Sequence, residues 1–371
     1  MKILIALNHP AHYYLFKFIS KELEKCGNEV KYVIKGKDIL EKILIREGVD
    51  FTKLITNRRK KQSKLYALSE LGVEMVKQDY ALFRYLSLFR PDIMIGTDIS
   101  ITHIGFLKRI PSIVFNEDDI EINKLFCYSA YPLAKQILTP VVCNTGLFIK
   151  KRIAYDGYQK LAYLHPNWFK PDKDIVRKYF RKDSPYFLIR LVSFTAGHDI
   201  EQKHSGISQQ ALRKLISVLK QKGDVYITAE KDLPSEFKQF ELLIDPVDIH
   251  HLMFFSELFI GDSQSMIVEA AMLGTPSIRF NSFVGKISVL NELENKYNLS
   301  IGVQNSNPKL LLDTVENLIN TNNLREIYQM RRKKMLAEKI DVTAFFVWFI
   351  HNYPDSIKVV NETPGYQYRF R

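Results

Sequence analysis

Three polar segments follow apolar runs and carry groups that can move a proton. In "NHPAHYY", Asn8 and His9 leave the run "KILIAL", Pro10 fixes the turn, and His12 opens a helical pattern. Histidine can take a proton near neutral pH. A helix start adds unpaired N–H groups and the positive end of the helix dipole. His9 and His12 could equally cap and pack. In "GTDIS", Asp98 could cap the next helix or serve as a general base. In "NEDDIE", Glu117, Asp118, Asp119 and Glu121 could hold Mg²⁺ with phosphates or face water. Asn116 and Glu117, nearest the strand end, are placed for a cleft, whereas Asp119 and Glu121 read as a solvated face.

Two later segments suit anions. "RLVSFTAGHDIEQKHSGIS" gathers Arg190, His198, Lys203 and His204 around Gly197 and Gly206. Positive donors on such a loop are what a diphosphate leaving group needs. "GDSQSMIVEAAMLGTPSIRF" turns on Gly261, offers Ser263, Gln264 and Ser265 at a helix start, and carries Glu269 on that helix. The hydroxyls and N–H groups could hold a phosphate, and the carboxylate could accept from a ribose diol. The plainer reading is a serine cap with Glu269 on an exposed helix face. No HExxH, P-loop or GxSxG pattern occurs, which counts against those enzyme classes.

These segments need a scaffold that brings strand ends together. "KILIAL", "EVKYVI", "GVDFTKLI", "PDIMIGTD", "PSIVFNED" and "KQILTP" alternate with helical patterns, and so do "PYFLIRLVSF", "DVYITAE", "LFIGD", "PSIRF" and "SIGV". Continuous apolar runs between helices predict parallel sheets covered on both faces. A chain of 371 residues suits two such domains. The expected division is 1–145 for the first α/β domain, 146–183 for a linker, 184–340 for the second, and 341–371 for a C-terminal helix and tail. In "DVTAFFVWFIHNY" Asp341 could cap a helix with a wide apolar face. Burial at a domain interface is the expectation, because helices lying on membranes usually carry a strong basic face.

The net charge of +12 could face nucleic acid, anionic lipid or a phosphorylated substrate. Dispersed basic residues and the lack of a recognised module argue against nucleic acid. The N-terminus does not read as a signal peptide, and no stretch approaches the ~18 apolar residues of a membrane span. Cys26, Cys127 and Cys143 have no metal spacing and cannot all pair. A cytoplasmic location is the expectation.

The two-domain pattern with "GDSQSMIVEAAMLGTPSIRF" resembles the GT-B superfamily of sugar-nucleotide enzymes. That stretch is similar to the "DSGG…E…LG.P" segment of the non-hydrolysing UDP-N-acetylglucosamine 2-epimerases. "NHPAHYYLFKFISKEL", "YDGYQKLAYLHPNWFKPD", "RLVSFTAGHD", "HSGIS" and "GDSQSMIVEAAMLGTPSIRFNSF" more closely resemble an uncharacterised family, a domain of unknown function, of archaeal and bacterial surface-polysaccharide loci. This resemblance implies an α/β GT-B fold, two Rossmann-like doubly wound domains facing across a cleft. The epimerase likeness implies that Ser263 and Ser265 hold a diphosphate, with Gln264 lending its backbone amide. Glu269 would bind the ribose, and Ile249 and His250 would border the base. Asp98 and Glu117 would fall near acid–base carboxylates, and His198 near a phosphate-facing histidine. "SQS" stands where the epimerases have "SGG", and "NHPAH" replaces their "GTRPE". Those departures count against epimerisation and leave nucleotide binding intact.

The resulting expectation is a glycosyltransferase that takes a nucleotide-activated sugar, a UDP-sugar, with no metal and no cofactor. The first domain would present His12 or Asp98 to the acceptor, with Asn8 and His9 beside it. Arg190, His198, Lys203 and His204 would neutralise the departing diphosphate. The expected acceptor is a glycan or lipid-linked saccharide at the inner membrane face, with peripheral membrane contact and no nucleic acid. A UDP-sugar 2-epimerase is the alternative.

Overall fold

In the computed structural model of the protein the described residues are 1–36, 38–56, 64–180, 184–192 and 206–371. They form two compact units, Met1–Tyr163 with Lys339–Arg371, and Leu164–Glu338. Each unit holds one parallel sheet with helices, which is the doubly wound α/β architecture.

The first sheet contains β1 (Lys2–Leu7), β2 (Glu29–Gly36), β3 (Phe51–Thr56), β4 (Ile93–Gly96), β5 (Ser112–Phe115), β6 (Gln136–Pro140) and β7 (Arg152–Tyr155). Their order is β3-β2-β1-β4-β5-β6-β7, and every pairing is parallel. The second contains β8 (Tyr186–Leu191), β9 (Asp224–Ala229), β10 (Leu258–Gly261), β11 (Ser277–Phe280) and β12 (Ile301–Val303), in the parallel order β12-β11-β10-β8-β9. Strands β4, β5, β10 and β11 are buried along their whole length. That burial explains their unbroken apolar runs.

The order of strands reverses between β1 and β4 in one sheet and between β8 and β10 in the other. Loops beyond the carboxyl ends of the strands at such a switch point form a crevice for ligands. Both inner strands end in Ile-Gly. A Cβ on Gly96 would lie 2.5 Å from the Ala6 carbonyl oxygen, and one on Gly261 would lie 3.1 Å from that of Arg190. Glycine lets the neighbouring backbones approach at both corners.

The observed division differs from a boundary at residue 145. Strand β7 extends the first sheet, pairing with β6 from Ile137↔Arg152 to Pro140↔Tyr155. What read as a linker is therefore split, with 146–163 in the first unit and 164–180 in the second. The C-terminal helix Val342–His351 is capped by Asp341, whose Oδ1 accepts from the Ala344 N–H at 3.1 Å. Phe346 meets Phe115 and Tyr155 edge-on, with ring centroids 5.0 and 4.8 Å apart. The buried face of this helix thus packs within the first unit. All three cysteines are free thiols. Among the described residues no helix is long and apolar enough to cross a membrane.

Candidate functional site

At the first switch point His9 caps the helix Pro10–Lys25, its Nδ1 accepting from the Ala11 N–H at 3.2 Å. The Asn8 N–H donates to His12 Nδ1 at 3.3 Å. A neutral imidazole accepting at Nδ1 carries its proton on Nε2. His12 in this arrangement presents a donor at Nε2, and its acceptor nitrogen is committed to backbone.

Asp98 is buried and fully engaged. Oδ1 accepts from the N–H groups of Ser100 (2.7 Å) and Ile101 (3.3 Å), at the start of the helix Ser100–Lys108. Oδ2 accepts from Gln78 Nε2 at 2.6 Å and from Asn8 Nδ2. A carboxylate offers about four lone-pair sites, and Asp98 uses all of them. Of its two readings, the geometry favours the cap. It also fixes the Asn8 amide, whose Oδ1 is buried with no partner among the described residues.

Beyond β5, Glu117 pairs with Lys160 Nζ through Oε1 and accepts from the Gln159 N–H through Oε2 at 3.1 Å. The two side chains are only 15% and 8% exposed, so this ion pair is largely desolvated. Asn116 Oδ1 accepts from the Asp118 N–H at 3.2 Å, and its Nδ2 donates to the Tyr131 hydroxyl at 2.8 Å. Burial, and then the Glu117 charge, push the Asp118 carboxyl above its usual range. Asp119 departs from the solvated reading. It is 4% exposed, and its Oδ1 accepts from the Asn144 N–H at 2.8 Å. Glu121 is exposed, as expected, and accepts from Asn144 Nδ2 at 2.7 Å. The acids of "NEDDIE" therefore do not converge on one point: Glu117 faces Gln159 and Lys160, while Asp119 and Glu121 both face Asn144. Among the described residues no cluster of three His, Cys, Asp or Glu side chains could hold a metal ion.

Lys160 escaped the sequence reading because "YDGYQK" resembled a linker. A signal was present, since one lysine between Tyr158 and Leu161, both buried, needs a carboxylate partner.

At the second switch point Ser263 caps the helix Gln264–Leu273, its Oγ accepting from the Met266 N–H at 3.4 Å. Ser263, Gln264 and Ser265 are half-buried, and Gly274 ends the helix in the left-handed conformation. Asp262 Oδ1 accepts from the Val192 N–H at 2.8 Å, which ties the loop after β10 to the end of β8. Arg190 lies opposite Gly261 in register. Its Nη2 donates to Glu230 Oε1 at 2.9 Å, and its Nε is buried with no partner among the described residues.

Glu269 is not an exposed helix residue. It is 6% exposed, and its Oε2 lies 3.4 Å from Nε2 of His250, itself 4% exposed. His250 sits on the helix Ile249–Phe255, with Ile249 half-buried at its start. Asp248, just before that helix, accepts from the Tyr179 hydroxyl at 2.9 Å, and Phe169 meets the His250 ring edge-on at 6.2 Å. Two residues 19 positions apart are thus brought into one buried pair behind the Ser263 corner. His198, Lys203 and His204 lie outside the described residues.

A family described as a protein of unknown function, DUF354, matches residues 1–355. No curated protein matches the sequence. Solved structures are similar along nearly the whole chain. S. aureus MnaA, in a co-structure with UDP, shares 15% identity with a TM-score of 0.65, over 96% of this chain and 98% of that one. The UDP-GlcNAc 2-epimerase from Methanocaldococcus jannaschii shares 13% with a TM-score of 0.61, over 90% and 99%. The glycosyltransferase SsfS6 of Streptomyces sp. SF2575 shares 11% with a TM-score of 0.57, over 95% and 100%. At such identities the likeness is one of fold, the GT-B fold of two parallel-sheet units. The family match spans both sheets and the loops at both switch points, so this chain belongs to the DUF354 family of proteins of unknown function.

Proposed function

We propose that the protein is a glycosyltransferase using a nucleotide-activated sugar, a UDP-sugar, and that the second unit binds the donor. The observation that carries this reading is the corner after β10. There the half-buried Ser263, Gln264 and Ser265 start a helix, and the buried His250–Glu269 pair lies behind them. A helix start with N–H donors suits a diphosphate. Ser263 Oγ accepts from Met266 and keeps its own proton to donate. Arg190 adds a cation one strand away. Donors aimed at the diphosphate stabilise the charge that grows as the sugar–phosphate bond breaks. Glu269, held in place by His250, would accept from the ribose hydroxyls. The UDP-bound S. aureus MnaA and the glycosyltransferase SsfS6, both similar in fold, support the ligand class and the reaction class respectively.

Glu117 is the carboxylate best suited to take the acceptor proton. Asp98 has no unused lone pair, and His12 presents a donor, whereas each Glu117 oxygen accepts one bond and can accept another. Glu117 thus takes the role first given to His12 or Asp98. The acceptor in this reading is a glycan or a lipid-linked saccharide. In this reading the donor is held without a metal or cofactor.

A UDP-sugar 2-epimerase is the second reading, favoured by the Glu117–Lys160 pair, which could take a C2 proton and return it. Incubation with a UDP-sugar alone in heavy water separates the two. The transferase reading expects no deuterium at C2, and uptake there would contradict it. A thermal-shift screen across nucleotide sugars should raise the melting temperature with UDP-sugars. If none does so, the donor site is wrong and a glycan-binding scaffold becomes the better description.

A further inference from the structure

We infer that the first unit docks on an anionic lipid bilayer through the face formed by the helix Lys124–Ala130 and the short 3-10 helix Gly146–Lys151. Leu147 is 87% exposed and Ile149 58% on one element, and Leu125 is 63% and Tyr128 56% exposed on the other. Single exposed apolar residues are ordinary, whereas a contiguous group of large ones marks an interaction surface. The two elements are joined through Phe148, whose ring lies 6.1 Å from Tyr128 and 5.5 Å from Tyr131. Lys151 fastens the joint, its Nζ donating to the carbonyls of Tyr131 (3.2 Å), Pro132 (2.6 Å) and Ala134 (3.0 Å). With Phe148 turned inward, Leu147 and Ile149 on either side of it are turned out.

Charge identifies the occupant. Lys124, Lys135 and Lys150 are exposed around these side chains. Lys135 is near enough to depress the Lys151 ammonium pKa, after burial, the larger cause. Glu121 reaches the same segment through Asn144 and tempers the charge. Apolar side chains ringed by lysines match acyl chains beneath anionic headgroups. The net charge of +12 acts in the same direction at longer range.

The face is also tied to the Glu117 loop. The Asn144 N–H donates to Asp119 Oδ1 at 2.8 Å, and the Ile120 N–H donates to the Asn144 carbonyl at 2.9 Å. A lipid-linked acceptor drawn to this face would reach the Glu117 loop by way of Asn144. That last step rests on the proposed transferase reading, and the docking itself does not.

The test is co-sedimentation of the full chain with vesicles of phosphatidylglycerol and phosphatidylethanolamine, or of phosphatidylcholine alone. The protein should pellet with the anionic vesicles, pellet far less with the neutral ones, and be released by salt. Leu147→Ser with Ile149→Ser should lower the partition coefficient about tenfold. Lys124→Gln and Lys150→Gln should each lower it about fivefold. Leu243→Ser, an equally exposed leucine of the second unit at 83%, should change nothing. Docking is overturned if the parent stays in solution with anionic vesicles, or if all four substitutions leave binding intact. It is also overturned if the parent self-associates without lipid and the two serine substitutions abolish that, which would make this a protein interface. Vesicle binding without any UDP-induced thermal shift would uphold docking and remove the donor reading. The reverse result would do the opposite.

Discussion

The two switch points share a plan and use it differently. Each has an inner strand ending in Ile-Gly, followed closely by an aspartate that bridges to the end of the neighbouring strand. Asp98 reaches the Asn8 amide and Asp262 reaches the Val192 N–H. In the first unit the aspartate also caps the next helix, and its lone pairs are exhausted. In the second unit capping falls to Ser263, a hydroxyl that accepts one bond and has a proton left to donate. One corner is closed as a brace, and the other keeps donors half-exposed. A carboxylate at a strand end is therefore weak evidence of catalysis until its hydrogen bonds are counted.

The largest expected effect tests the brace side. Lys160→Met would leave Glu117 desolvated without its cation, and should cost about 3 kcal/mol. Urea unfolding can assign that loss to one unit, because of the two tryptophans Trp348 belongs to the first unit and Trp168 to the second. Fluorescence of Trp348 in a Trp168→Phe background should shift its midpoint. A cost below about 1 kcal/mol would mean that the pair is screened like a surface ion pair.

Asp98→Asn should cost about 1–2 kcal/mol, through the lost cap and the disturbed Asn8 contact. The same fluorescence reads it, and UDP affinity should not change. Intact stability with abolished transfer would instead make Asp98 the base and collapse the contrast between the corners.

The smallest effect is a baseline next to the first corner, on the helix that Asp98 caps. His103 Nδ1 lies 2.8 Å from Asp79 Oδ2, and its Nε2 lies 3.3 Å from the Ser129 carbonyl. The hydrogen bond to Asp79 is the main cause that raises the His103 pKa. A raised folded-state pKa gives stability that is complete below the unfolded value, about 6.5. It is lost as pH rises through the folded value. Asp79→Asn should cost up to about 1 kcal/mol in mild acid and nothing at alkaline pH. An unchanged cost across that range would show the ring to be neutral. UDP binding should be indifferent throughout.

Much of this was legible in the sequence where the deciding physics is local. Strands buried on both faces announce themselves as apolar runs, and Ser263 announces a cap because its partner is three residues away. Strand β7 was missed because it is four residues long and opens with Arg152, whose guanidinium bonds Thr139 Oγ1 and the carbonyls of Pro140 and Val141. Lys160 was missed because Glu117 lies 43 positions distant. Glu269 on its helix could face water or core, and tertiary packing against His250 decides that. The return of Lys339–Arg371 to the first unit is likewise a matter of packing, which an apolar helix face does not specify.

The central claim is that the Ser263–Glu269 corner grips a uridine diphosphate. Calorimetric titration of UDP tests it most directly, on the parent and on Ser265→Ala, Glu269→Gln and Asp98→Asn. The account predicts saturable binding by the parent. Ser265→Ala and Glu269→Gln should each weaken it about tenfold, through one lost hydrogen bond to a charged group. Asp98→Asn should match the parent. Equal affinity across all four proteins, or no binding by the parent, would contradict the account.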